Sequence, residues 1–368
     1  MNQRPVKPEK RRKLLYAAST QSHLFRFHMP YIEELRKCFD VRLMAKGEDV
    51  DFPIPFEKSL FSPANLRAVR EIRRILRRER FDAAVVNTAL AAFLIRFAMW
   101  GMKDRPRVLN IVHGYLFADP PQGMKDRLLL RCERLTRKQT DGIAVMNAKD
   151  LEICTRRNLC MGSTAMIRGM GFRFPPELPV PGKELRRRYA PEPEDWLLTF
   201  VGELSGRKNQ IFLIRAVKQL RREGFPVRLL LVGEGSTREL LEAEIGRLEL
   251  AESVFLIGNQ EPVTPYLAIT DLYVSASRTE GLPFNLMEAM ACGLPVVASD
   301  VKGQQDLLRT APDCLYPLEN LTAFCGAVRR VLAFGKRGRG AVIYPELEQY
   351  RLEAVFDENI RWMKGSLL

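Results

Sequence analysis

Cysteine is present without any arrangement that would make it structural or metal-binding. The seven residues Cys38, Cys132, Cys154, Cys160, Cys292, Cys314 and Cys325 form no CxxC pair and no Cys/His cluster at zinc spacing, and their number is odd. A disulfide scaffold and a zinc ribbon are excluded, and reduced thiols in a cytoplasm are expected. Long apolar runs are also missing. The most apolar window, Ala83 to Trp100, is interrupted by Asn87 and Arg96 and falls short of the ~20 apolar residues that cross a bilayer. The N-terminus, MNQRPVKPEKRRKLLYAAS, starts basic but reaches only a short apolar strand, so no export signal is expected. Histidine is scarce, with only His23, His28 and His113. No DxD-type acidic pair is suitably placed after a strand to hold a metal on a diphosphate. Nucleic-acid recognition motifs are absent as well, and the arginines follow helix surfaces rather than interleaving with aromatics.

What is present is a chain of 368 residues, long for one hydrophobic core, so two domains are expected. Its net charge of +14 biases the partner toward something anionic: nucleic acid, an acidic membrane surface or phosphorylated small molecules. From Lys13 onward, short apolar runs alternate with amphipathic, Arg-rich stretches. KLLYAAS, VRLMA, DAAVVN, RVLNIVHG and DGIAVMN read as buried strands, with helical patterns at Pro30 to Cys38, Ala64 to Arg80 and Lys125 to Gln139. Six prolines then interrupt the pattern between Met170 and Trp196. The alternation restarts with WLLTFVG, RLLLVG, SVFLIG, DLYVSAS and PVVAS. The expected organisation is an α/β domain over 1–174, a Pro-rich linker over 175–194, a second α/β domain over 195–345, and a terminal helix over 346–368 that packs on either domain. In such open sheets ligands bind at the carboxyl ends of the strands. The residues just after the apolar runs are therefore the ones to weigh.

The sharpest of these stretches is RTEGLPFNLMEAMACGLPVVASDVKGQQDL, Arg278 to Leu307. Glu280 opens a Gly-Leu-Pro loop after a strand, and Glu288 follows in the next helix, so both can reach one ligand. Gly281 allows close backbone approach, Pro283 suits the first helical turn, and amides at a helix N-terminus bind phosphate oxygens. A carboxylate beside such a site suits sugar hydroxyls, and a nucleotide sugar offers both groups. A second stretch, FVGELSGRKNQ, places Arg207 and Lys208 after a strand, where cations can neutralise a diphosphate leaving group. A third, LLLVGEGSTREL, turns at Gly233 and Gly235; Arg238 stands where a dinucleotide fingerprint would have its third glycine, so it is weak evidence for NAD. His113 and Gly114 end the strand RVLNIVHG.

The Glu280-to-Glu288 stretch, with its AMACGLPVVAS continuation, resembles the Glu-x7-Glu signature of glycosyltransferase family 4. The resemblance covers nearly the whole chain, weakly before residue 110 and strongly from 195 to 307, and its closest look is to bacterial capsule and exopolysaccharide enzymes. It implies the GT-B architecture, two Rossmann-like doubly wound domains facing a central cleft. It implies Glu280 beside the donor sugar, Glu288 on the ribose, and the backbone of Gly281, Leu282 and Pro283 on sugar and β-phosphate. It places Lys208 on the diphosphate. Family members often carry an Arg where this chain has Glu203, which makes Arg207 the substitute second cation. Gly233, Gly235, Ile257, Gly258 and Asn259 would line the nucleotide pocket, although a purely structural tight turn serves equally at each. His113 would face the donor sugar. Ser19, Thr20 and His23, in a first loop that lacks the usual glycines, would face the acceptor or simply cap a helix.

The reaction the resemblance implies is retaining, with no metal and no cofactor beyond the nucleotide sugar, and with the donor β-phosphate taking the acceptor proton. The donor is expected to be a UDP-sugar, with UDP-N-acetylhexosamine and UDP-hexose equally consistent, and the acceptor a growing glycan on polyprenyl diphosphate. The helix Asn65 to Phe81 carries Leu66, Val69, Ile72, Ile75 and Leu76 on one face and seven arginines elsewhere. It suits an anionic membrane surface, at the inner face of the cell membrane, or the ordinary surface of a basic protein. Other classes stay open: an epimerase or hydrolase of nucleotide sugars, a basic nucleic-acid-binding protein, and a catalytically silent relative.

Overall fold

In the computed structural model, residues 11–57, 62–174, 182–335 and 342–367 are described. The chain divides into two compact units, Met1–Gly171 with Leu352–Leu368, and Phe172–Arg351. Each is a parallel sheet covered by helices, as expected of Val-, Ile- and Leu-rich runs that are apolar on both faces.

The first unit runs β1 (Arg12–Thr20), α1 (Gln21–Phe27), α2 (Met29–Arg36), β2 (Phe39–Lys46), β3 (Phe52–Pro53), α3 (Pro63–Glu79), β4 (Ala83–Asn87), α4 (Ala89–Ala98), β5 (Arg107–Val112), α5 (Met124–Leu135), β6 (Gly142–Val145), α6 (Ala148–Arg157) and β7 (Ser163–Met166). Its seven strands lie in the order β3-β2-β1-β4-β5-β6-β7. The direction of winding reverses between β1 and β4, so their carboxyl ends form the switch point where such sheets bind ligands.

The second unit runs α7 (Lys183–Tyr189), β8 (Trp196–Val201), α8 (Gln210–Arg222), β9 (Val227–Val232), α9 (Arg238–Arg247), β10 (Val254–Gly258), α10 (Thr264–Ile269), β11 (Leu272–Ser275), α11 (Phe284–Ala291), β12 (Val296–Ser299), α12 (Gln304–Leu307), β13 (Leu315–Tyr316) and α13 (Leu321–Ala333). Its strand order is β10-β9-β8-β11-β12-β13, with the switch between β8 and β11. Of the segment read as a linker, residues 175–181 lie outside the described residues, and α7 occupies much of the rest.

A final helix, α14 (Leu352–Leu367), joins the first unit. Val355, Ile360 and Met363 are buried, at the apolar spacing the sequence shows. Asn359, also buried, donates from Nδ2 to the Tyr31 hydroxyl at 3.0 Å and to the Gly169 carbonyl at 2.9 Å. Lys364 adds an ion pair to Glu34 at 3.0 Å.

The two polar residues that break the apolar window Ala83 to Trp100 are both buried. Asn87 ends β4 and donates to the Ala17 carbonyl of β1 at 3.1 Å. Arg96, wholly buried in α4, meets Glu133 of α5 at 3.0 Å and the Thr140 hydroxyl at 3.2 Å. Among the described residues no helix is long and apolar enough to cross a membrane. Of the two settings the sequence leaves open for α3, its apolar stripe is taken up by the protein: Ile72, Ile75 and Leu76 are buried in the unit's own core, Val69 packs against it, and Leu66 is strongly exposed. The helix uses its apolar stripe to fold. Its exposed side carries Arg67, Arg70, Arg74, Arg77 and Arg78.

Candidate active site

In the second unit the loops that follow β8 and β11 meet at the switch point, and they carry the residues singled out in the sequence. Lys208 Nζ lies 2.6 Å from Glu280 Oε1, and Arg207 Nη1 lies 3.1 Å from Glu280 Oε2. Lys208 and Glu280 are each 7% exposed, whereas Arg207 is only half-buried. Burial pushes the Glu280 carboxyl up, but the charges of Lys208 and Arg207 outweigh it and hold the group below the usual carboxylate range. Burial pushes the Lys208 ammonium down, Glu280 opposes that shift, and the net direction is downward. The exposed Glu203 adds a further negative charge near Lys208.

The two loops are also tied by backbone. Arg278 donates from its amide to the Arg207 carbonyl at 2.8 Å, and Arg207 Nη1 donates to the Thr279 carbonyl at 3.1 Å. Behind them, the Ser299 hydroxyl donates to the Ser277 carbonyl at 2.6 Å, and Gln304 Nε2 to the Ser275 hydroxyl at 2.6 Å. These buried bonds fix the end of β11 from which Glu280 projects. Glu288 lies half-buried on α11. Burial raises the Tyr273 hydroxyl well above its ordinary range, and the charges of Glu280 and Glu288 add to that.

Pro283 does not sit in the first helical turn: it is the N-cap of α11, in extended backbone. Proline also lacks an N–H, so the amide donors of this loop are those of Gly281 and Leu282. The Gly233 and Gly235 turn has a steric explanation. A Cβ at Gly233, where φ is +144°, would stand 2.0 Å from the Gly202 carbonyl oxygen, and one at Gly235 2.1 Å from that of Leu204. The turn thus lets the loops after β8 and β9 lie side by side, and Gly233 N donates to the Gly258 carbonyl at 2.8 Å. Ile257 and Gly258 are half-buried beside this turn, and Asn259 is exposed.

In the first unit, the switch point between β1 and β4 holds Ser19, whose hydroxyl is 2.6 Å from that of Thr88. Thr88 has φ +60°, a strained value for a β-branched residue. Thr20 caps α1, its hydroxyl accepting from the His23 amide at 3.3 Å. His113 follows β5 and comes within 3.3 Å of His23, Nε2 to Nε2. His28, which the motifs did not single out, completes the group: its Nε2 is also 3.3 Å from His23 Nε2, and its Nδ1 is 2.9 Å from the Tyr16 hydroxyl. The only signal in the sequence was the scarcity of histidine itself.

The chain is similar to known proteins along most of its length. The family model for glycosyl transferases group 1 matches residues 196–333, and that for the glycosyl transferase 4-like domain matches residues 34–167. EpsD of Bacillus subtilis (strain 168) is 26% identical over 309 residues, covering 81% of each chain. The Escherichia coli UDP-Gal:alpha-D-GlcNAc-diphosphoundecaprenol alpha-1,3-galactosyltransferase is 22% identical over 311 residues, covering 80% of each. Among solved structures, Anabaena HepE in complex with UDP and glucose superposes with a TM-score of 0.74 at 16% identity, over 96% of this chain and all of the other.

Proposed function

The chain belongs to the glycosyl transferases group 1 family, with the GT-B fold and the glycosyltransferase activity that name describes, and from that premise we propose a specific reaction. The enzyme transfers a sugar from a UDP-sugar, with retention of anomeric configuration, to a lipid-linked glycan of a bacterial surface polysaccharide. The observation that carries this reading is the cluster of Lys208, Arg207 and Glu280 at the β8/β11 switch point.

Two cations share the Glu280 carboxylate there, at the strands' carboxyl ends, with Glu203 a further negative charge near Lys208. A nucleoside diphosphate outcompetes Glu280 for Lys208 and Arg207, because it offers more charge and more acceptor oxygens. Glu280, released, accepts hydrogen bonds from the hydroxyls of the donor sugar, and Glu288 does so from the ribose. As the glycosidic bond to the β-phosphate breaks, Lys208 and Arg207 stabilise the charge developing on the leaving group. This diphosphate chemistry draws its cations from side chains and needs no metal. The departing phosphate accepts the proton of the attacking hydroxyl on the same face of the sugar, and retention follows.

The acceptor assignment rests on the E. coli relative, whose name specifies a diphosphoundecaprenol acceptor and a UDP-Gal donor. A lipid-borne acceptor also gives purpose to the arginine row of α3, which would hold the enzyme, from the cytoplasmic side, at an anionic membrane face by charge alone. At about 1 kcal/mol per arginine, replacing Arg67, Arg70, Arg74 and Arg77 by Glu is expected to weaken binding to phosphatidylserine vesicles at least about tenfold. Unchanged vesicle binding would remove the membrane from the proposal. The reaction itself is tested by incubating the enzyme with UDP-sugars and short polyprenyl-diphosphate glycans and reading product linkage by NMR. An α-linked product from an α-configured donor is expected. An inverted linkage, or donor turnover that is indifferent to acceptor, contradicts the proposal.

A further inference from the structure

All three histidines of the chain converge in the first unit, although they come from three separate places. His23 lies in α1, His28 caps its end, and His113 follows β5. A ring nitrogen of each lies within 4.8 Å of the others. The rings do not stack face to face: His113 meets His23 at 79° and His28 at 76°, and His23 meets His28 at 43°.

Hydrogen bonding among the rings does not account for this arrangement. His23 Nε2 is 3.3 Å from both His28 Nε2 and His113 Nε2. A ring nitrogen offers either one proton or one lone pair in the ring plane, so it serves one of its two neighbours at full strength. In every choice of tautomers one of these approaches is left without a good bond. A cation removes the conflict, because three lone pairs can then face one point. Nitrogens about 2.05 Å from a tetrahedral zinc ion are separated by about 3.3 Å, which matches both spacings.

We propose that His23, His28 and His113 form a binding site for a divalent ion of the zinc class, coordinated through one nitrogen of each ring with a further position left for water or an oxygen ligand. Imidazole ligands select Zn²⁺, Co²⁺, Ni²⁺ or Cu²⁺ over Mg²⁺ or Ca²⁺. Tyr16 supplies the outer partner that metal-bound histidines have: with His28 Nδ1 protonated and donating to the Tyr16 oxygen, Nε2 turns its lone pair inward. His23 and His113 are only half-buried, which gives an ion a way in.

The test is zinc binding by the full chain, stripped with chelator, dialysed against Zn²⁺ and analysed for metal content, with Co²⁺ as a spectroscopic substitute. One ion per chain is expected, at micromolar dissociation constant or tighter, with the visible bands of tetrahedral nitrogen-ligated cobalt. His23→Gln should weaken binding at least about tenfold, and Tyr16→Phe, which keeps all three ligands, about tenfold through loss of the outer partner. Circular dichroism confirms that each variant is folded. The proposal is overturned if the wild-type chain holds no zinc, if His23→Gln binds as well as wild type, or if cobalt shows a thiolate charge-transfer band from the free cysteines.

Discussion

Neither Lys208 nor Glu280 would be tolerated alone at 7% exposure, since an isolated buried charge costs several kcal/mol and a paired one much less. The pairing makes the site sensitive to acid. Glu280 has its folded-state value lowered, so its contribution is fully present above the ordinary carboxylate pKa and is lost as pH falls through the lowered one. Melting temperatures of wild type and Glu280→Gln should therefore differ most at neutral pH, and the gap should narrow between roughly pH 5 and pH 3. A gap that stays constant over that range would show that Glu280 is not an ionised partner of Lys208. These residues were legible in the sequence because they follow apolar runs that could only be buried strands. His28 was not, because its neighbours in space are set by the turn after β1 and by the end of β5, some 85 residues away.

At the scale of elements, the strands were readable and the uses of the helices less so. An apolar run buried on both faces has few alternatives to a central parallel strand. An amphipathic helix such as α3 shows which face is apolar, yet nothing local says whether the core or a membrane covers it. In the same way, Arg96 looked like an interruption of an apolar window because its partners Glu133 and Thr140 belong to a later part of the chain. The glycine turn after β9 could serve packing or ligand, and the structure gives it a packing reason. Gly233→Ala is expected to lower the stability of the second unit by about 2–3 kcal/mol, from a 2.0 Å clash with the Gly202 carbonyl and a strained φ. Thermal or denaturant unfolding checks this, and an unchanged midpoint would mean that the two loops can separate freely.

For the whole molecule, the path of the chain matters as much as the folds it builds. It completes the first sheet, forms the second unit, and returns for α14 to join the first. The sequence showed a terminal helix but could not choose its partner, since the apolar stripe of Val355, Ile360 and Met363 would suit either sheet. The polar residue within that helix makes the attachment specific. Asn359→Ala leaves the Tyr31 hydroxyl and the Gly169 carbonyl without this donor, at an expected cost of about 1–3 kcal/mol to the first unit. Hydrogen exchange should show the loss in α2 and α14 and leave the second sheet unaffected; uniform loss across both units would contradict the assignment.

Everything in the proposed reaction depends on the β8/β11 switch point binding a nucleoside diphosphate through Lys208. The most direct measurement is nucleotide binding followed by thermal stabilisation, comparing UDP and UDP-sugars with ADP- and GDP-linked donors on wild type, Lys208→Ala and Glu288→Ala. A ligand at a hundred times its dissociation constant adds about 2.7 kcal/mol of stability. UDP or a UDP-sugar is expected to stabilise the wild-type protein, and both substitutions to abolish most of the shift. Absence of stabilisation by any nucleotide, or an undiminished shift in Lys208→Ala, would contradict the proposed binding.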